Sequence, residues 1–142
     1  MLDAYSRKAI GWALADHLEA SLAIEALDRA IAARNPPPGL IHHSDRGIQY
    51  ACGDYGERLE ACGIRISMSR AGNPTDNAKA ERFMRTLKEE EVNGKTYASI
   101  DEARADIGVF LETVYNRGRL HSALGCKPPV EFEAEPRPTE TV

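Results

Sequence analysis

Asp45 and Glu81 are the two acids whose settings point to chemistry. Asp45 ends the run Leu40-Ile41-His42-His43 at the turn Ser44-Asp45-Arg46-Gly47, and Glu81 follows 36 positions later within Asn77-Ala78-Lys79-Ala80-Glu81-Arg82-Phe83. Carboxylates are hard oxygen donors, suited to Mg2+-like cations, and such sites draw their donors from separate elements. Two divalent ions about 3.5–4 Å apart support phosphoryl transfer, one activating the attacking oxygen and the other stabilising the leaving oxygen. Spacing alone does not separate this pair from ordinary surface acids, because most Asp and Glu are solvated.

The elements around the pair suit that chemistry. Leu40 to His43 reads as a short strand, so Asp45 stands at a strand's carboxyl end. Tyr50 to Ala61 is expected to form a helix broken by Gly63, and Ile64 to Met68 alternates as a strand, giving a β-α-β unit. After a loop carrying Gly72, Asn73 and Pro74, Thr75 or Asp76 is expected to cap a helix. Ala80, Phe83, Met84 and Leu87 then form one apolar stripe, with Glu81, Arg85 and Lys88 beside it. Upstream, Tyr5 to Leu14 reads as a turn and an apolar strand, and Leu2 as the stub of a preceding strand. Ser21 is expected to cap a helix reaching about Ala33, with Ile24, Leu27 and Ile31 inward, stopped by Asn35-Pro36-Pro37-Pro38-Gly39. Downstream, Asn93-Gly94 ends the Glu81 helix. Ser99-Ile100-Asp101-Glu102 is a capping box for a last long helix burying Ala103, Ile107, Phe110, Leu111 and Val114, and an extended tail follows Asn116.

With 142 residues and 42% hydrophobic composition, the chain fits one globular domain. The expectation is one domain over 1–133 and an acidic, flexible tail over 134–142. It has no membrane-length apolar run and no secretory leader pattern, so a soluble, intracellular protein is expected. Cys52, Cys62 and Cys126 are odd in number and form no CxxC, which favours reduced thiols over disulfides or a zinc site. The net charge of −4 conceals a basic stretch from Arg65 to Lys88, with six basic residues against two acidic. A second, acid-free stretch holds Arg117, Arg119 and Lys127. Basic clustering of this kind fits a nucleic-acid backbone as well as a solvated surface. His42 and His43, adjacent on a strand, point to opposite faces, which suits a structural His42 and a His43 near the acids. Trp12 is expected in the core.

Several phrases together carry a resemblance. These are His43-Ser44-Asp45-Arg46-Gly47-Ile48-Gln49-Tyr50, Asn77 to Phe83, Tyr115-Asn116-Arg117-Gly118-Arg119-Leu120-His121-Ser122-Ala123-Leu124-Gly125 and Pro128-Pro129-Val130-Glu131-Phe132. From Leu2 to about Glu133 the chain resembles the integrase-core DDE transposases of bacterial insertion sequences, the OrfB type of the third insertion-sequence family, relatives of retroviral integrases.

That resemblance implies an α/β, ribonuclease-H-like fold: a mixed sheet flanked by helices. It implies metal-dependent cleavage and strand transfer at insertion-sequence ends, with two Mg2+ (or Mn2+) ions in the complete enzyme. Asp45 matches the second metal-binding carboxylate and Glu81 the third; both are the expected catalytic and metal-holding residues. Lys88 matches a basic residue facing the DNA end, and Arg82, Arg85 and Arg119 are further candidates for DNA contact. The expected partners are element-end and target DNA and further copies of the enzyme, in a bacterial cytoplasm without membrane attachment. The first carboxylate belongs on a strand upstream of Leu2, so the reading is of a chain lacking that strand and inactive by itself; Asp3 is expected to cap a turn. The rival readings are a non-catalytic remnant that binds DNA or full-length transposase, and a ribonuclease-H-like nuclease.

Overall fold

The computed structural model describes residues 1–47 and 53–138. Its centre is a parallel pair of strands, β1 (Ile41–Ser44) and β2 (Arg65–Met68), in register from Ile41 opposite Arg65 to Ser44 opposite Met68. The helix between them, α2 (Gly53–Ala61), completes the expected β-α-β unit. Tyr50, the expected start of that helix, lies outside the described residues. Before β1 runs α1 (Ala20–Arg34), which ends where Asn35 turns left-handed at φ 42° and donates to the Ile31 carbonyl, with prolines following. Its N-cap is Glu19 rather than the expected Ser21, which sits inside the first turn.

After β2 a 3-10 turn (Pro74–Asn77) leads into α3 (Ala78–Leu87), so the N-cap is Asn77 and neither Thr75 nor Asp76. A π-turn (Lys88–Val92) extends α3 to Asn93. In α4 (Ile100–Val109), Ser99 caps as expected, its Oγ accepting from the Glu102 N–H at 3.1 Å. A second π-turn (Phe110–Tyr115) leads to the short α5 (Asn116–Gly118). The expected extended tail is instead a 3-10 turn (Ser122–Leu124) and α6 (Pro129–Ala134), started by Pro129 at its first position.

The amino-terminal segment folds back on itself. Leu2 bridges Ala9, Asp3 N–H donates to the Lys8 carbonyl at 2.9 Å, and Ile10 N–H to the Met1 carbonyl at 3.0 Å. Beyond Ala9 the expected strand to Leu14 is not paired among the described residues. Side chains alternate across this ribbon, so it serves two cores. Met1 packs with Leu27, Tyr55, Leu59 and Ile64; Leu2 packs with Ala9, Ile107, Phe110, Leu111 and Tyr115. Leu27, Leu59 and Leu111 are fully buried, each contributing about 1.5–3 kcal/mol. Half-buried Trp12 joins the second cluster, as expected of a core residue.

Two expected core residues face outward. Val114 is 48% exposed because the π-turn adds a residue to that turn, bringing Tyr115 inward in its place. Met84 is 44% exposed because α3 is oriented by Phe83, edge-on to Tyr115 at 5.1 Å between centroids, with Leu87 packed on the same cluster and Thr86 buried.

Candidate active site

Parallel pairing puts the exits of β1 and β2 at one end, where ligands collect in open α/β sheets. Asp45 follows β1 directly, exposed, with Oδ1 accepting from the Gly47 N–H at 2.8 Å in a tight Asx turn. The two exits are fastened together. Ser69 N–H donates to the Ser44 carbonyl at 2.8 Å, and Arg46 Nε to the Ser69 carbonyl at 2.9 Å. His43 meets Ser67 Oγ at 2.9 Å through Nδ1 and Ser69 Oγ at 3.1 Å through Nε2. Its neighbour His42 turns the other way, to the Tyr55 hydroxyl at 2.9 Å, as alternation expects. Burial lowers the His42 pKa, keeping the ring neutral.

From Ser69 the chain reaches Glu81 through a braced loop. Asp76 accepts from the Arg70 N–H at 2.9 Å and forks onto its guanidinium at 2.9 and 3.0 Å. The Arg70 side-chain and backbone bonds hold the Asp76 carboxyl far below the usual carboxylate range. Lys79 Nζ then reaches the Ala4 carbonyl at 3.4 Å, bringing the start of α3 to the amino-terminal turn. Asp45 thus stands directly at the exit of β1, and Glu81 lies on the first turn of α3, which this loop joins to the exit of β2.

On α3, Glu81, Arg85 and Lys88 are exposed at i, i+4 and i+7 and form one stripe. Arg82 parts from them. It lines a cavity with Lys79, Phe83 and Thr86, whose positions turn that face roughly 150° from Glu81 at about 100° per residue. Arg119, the other candidate for DNA contact, lines the same cavity and is ion-paired with Glu90.

Asp45 and Glu81 have no cationic side-chain partner among the described residues, as is also true of surface acids such as Asp54, Glu57 and Glu112, whereas Asp3, Asp76, Glu90, Glu91 and Glu133 do. A carboxylate oxygen free of a cation is the kind of donor a hard divalent ion takes. No group of three His, Cys, Asp or Glu side chains able to hold a metal occurs among the described residues. Asp3 does cap a turn, Oδ1 accepting from the Tyr5 and Ser6 N–H groups at 2.8 and 3.0 Å, with Oδ2 3.4 Å from Arg34. Cys62 and Cys126 are free thiols; Cys52 lies outside the described residues.

Sequence reasoning missed two supports. Asn116, completely buried, holds the Ala9 backbone, and Glu133 on α6 gathers Ser6, Lys8 and Arg34. The only signals were the place of Asn116 in the phrase that opens at Tyr115 and that of Glu133 just after the last phrase. Neither hydropathy nor spacing marks a lone polar residue as buried.

This architecture has counterparts among solved structures. The chain superimposes on the simian T-cell lymphotropic virus intasome in complex with PP2A regulatory subunit B56 gamma, with TM-score 0.66 and 21% identity over 87% of this chain and 43% of that one. The catalytic core domain of BIV integrase matches with TM-score 0.55 and 21% identity, over 80% of this chain and 70% of that one. The fold is the ribonuclease-H-like one of retroviral integrase cores.

The model for the integrase core domain matches residues 1–74, and a second integrase core domain model matches 62–129. The transposase for insertion sequence element IS904 of Lactococcus lactis subsp. lactis (strain IL1403) is 40% identical over 132 residues, 93% of this chain and 52% of that protein. Transposase InsF for insertion sequence IS3A of Escherichia coli (strain K12) is 39% identical over 133 residues, 94% of this chain and 46% of that protein. The chain belongs to the integrase core domain family. It spans about half the length of these transposases. Among the described residues no helix is long and apolar enough to cross a membrane.

Proposed function

We propose that this chain is the catalytic-core portion of a DNA transposase, acting on insertion-sequence ends and target DNA by divalent-metal-dependent cleavage and strand transfer. One observation supports the reading: a carboxylate without a cationic partner, Asp45, at the exit of the parallel strand pair, with a second, Glu81, starting a cationic stripe on the helix that follows β2. Asp45 and Glu81 are the residues that hold Mg2+ or Mn2+, two ions serving the complete enzyme. Bound there, such ions activate an attacking oxygen and offset charge on the leaving one.

The protein's own part is positional. The Gly47 N–H fixes one Asp45 oxygen and leaves the other for a ligand. Arg85 and Lys88 lie roughly 6 and 10 Å along the helix axis from Glu81, at 1.5 Å per residue, and neutralise phosphates of a strand laid along α3. Arg46 and His43 keep the strand exits closed together, which steadies the turn that carries Asp45. We place the working enzyme in the bacterial cytoplasm, as an oligomer on its two element ends.

Binding of a fluorescent element-end duplex, followed by anisotropy with and without Mn2+, tests this. The ion should tighten binding in the unmodified protein and not in Asp45→Asn, and Lys88→Ala should make log affinity against log salt shallower by about one unit. Affinity indifferent to both Mn2+ and Lys88→Ala overturns the reading.

A further inference from the structure

On the side of α3 facing away from Glu81 lies a cavity of about 190 Å3 on which Arg7, Lys79, Arg82, Arg119 and His121 converge. No carboxylate lines it. Arg119 is shared with Glu90 outside the lining, but Arg7, Lys79 and Arg82 have no carboxylate partner among the described residues. Cations gathered without an acid repel one another, and an anion relieves that repulsion. Two details mark the cavity as built rather than incidental. Arg7 is held left-handed at φ 63°, a conformation that costs a non-glycine residue, by its N–H on the Asp3 carbonyl and by Tyr115, whose hydroxyl donates to the Arg7 carbonyl at 3.0 Å. His121 has Nε2 buried with no hydrogen-bond partner, its ring edge-on to Tyr115 at 5.4 Å.

We propose that this cavity is a second phosphate site, gripping one phosphodiester of bound DNA on the side of α3 turned away from Glu81. The ligand class rests on the nucleic-acid reading above. Arg82 and Lys79 supply charge from α3, Arg7 from the amino-terminal turn and His121 from the segment after α5, so the site joins three parts of the chain that the carboxylate end leaves apart. Without an anion, burial and the charges of Arg119 and Arg7 lower the His121 pKa. A bound phosphodiester reverses the charge contribution and raises it.

The full chain titrated with a labelled duplex, by anisotropy across a salt series and by NMR of the His121 ring, tests the site. Lys79→Gln/Arg82→Gln should reduce the salt slope by about one unit, as for one lost phosphate rather than two, and abolish the DNA-induced rise in the His121 pKa. Lys79→Arg/Arg82→Lys, which keeps the charge, should restore both and shows that the fold tolerates change there. A salt slope unmoved in the double Gln variant, or a His121 ring indifferent to saturating DNA, overturns the site while leaving the reading of Asp45 and Glu81 standing. A His121 response to DNA that persists when Mn2+ fails to bind at Asp45 and Glu81 supports the site and removes that reading instead.

Discussion

The carboxamide of Asn116 replaces a neighbouring strand for Ala9: its Oδ1 accepts the Ala9 N–H at 2.9 Å and its Nδ2 donates to the Ala9 carbonyl at 3.0 Å. Both backbone groups are buried, so the pairing settles what would otherwise be two orphaned polar groups. Asn116→Ala leaves both without a partner, at about 1–3 kcal/mol each. Urea denaturation should show the midpoint falling sharply. Asn116→Asp should fare no better, since it keeps an acceptor for the N–H but loses the donor to the carbonyl and buries a charge.

Glu133 ties α6 to the amino-terminal turn and the end of α1. It accepts from Ser6 Oγ at 2.6 Å, from both terminal nitrogens of Arg34, and lies 3.6 Å from Lys8. Burial by itself would raise its pKa, but the bonds from Arg34 and Ser6 and the charges of Arg34 and Lys8 outweigh that and hold it below the ordinary 4.5. A carboxyl depressed in the folded state contributes stability that is present above its unfolded pKa and lost as pH falls through the folded value. Glu133→Gln should therefore be less stable than the unmodified chain at neutral pH by about 1–3 kcal/mol. In thermal melts the difference should shrink as pH drops below 4.5; a difference constant across that range would show that the charge is not what matters.

Gly11 allows the amino-terminal ribbon to lie against the backbone of α1. A Cβ there would strike the Ala26 carbonyl oxygen and come within 2.7 Å of the Ala30 backbone nitrogen. Neither neighbour is a flexible tip that can swing aside. Gly11→Ala should cost about 1–3 kcal/mol as overpacking, whereas Gly53→Ala, where an added Cβ meets nothing within 4 Å, should leave the melting temperature nearly unchanged.

What could be read in advance follows from which interactions are local. The β-α-β unit was legible because Leu40 to His43 and Ile64 to Met68 carry strand patterns and Gly63 a break. The Ser99 cap was legible because its partner is three residues away. Met84 and Val114 were misread because a strict 3.6-residue period has no place for π-turns, and because Tyr115 sets the rotation of α3 from a distant part of the chain. Arg82 looked like a companion of Arg85 and Lys88 by composition, and only the orientation of α3 separates them. The partners of Asn116 and Glu133 are 99 to 127 residues away, beyond the reach of any local pattern.

The central claim is that Asp45 and Glu81 serve one divalent ion, and a double-mutant cycle on Mn2+ affinity tests it most directly. The Mn2+ affinity of the unmodified chain, Asp45→Asn, Glu81→Gln and the double variant can be followed by EPR of the free ion. If both carboxylates hold the same ion, each single substitution should weaken binding at this site about tenfold or more, about 1.4 kcal/mol. The double variant should then be much less impaired than the sum of the two. Strictly additive losses, or a single substitution that leaves Mn2+ affinity intact, would contradict the shared site.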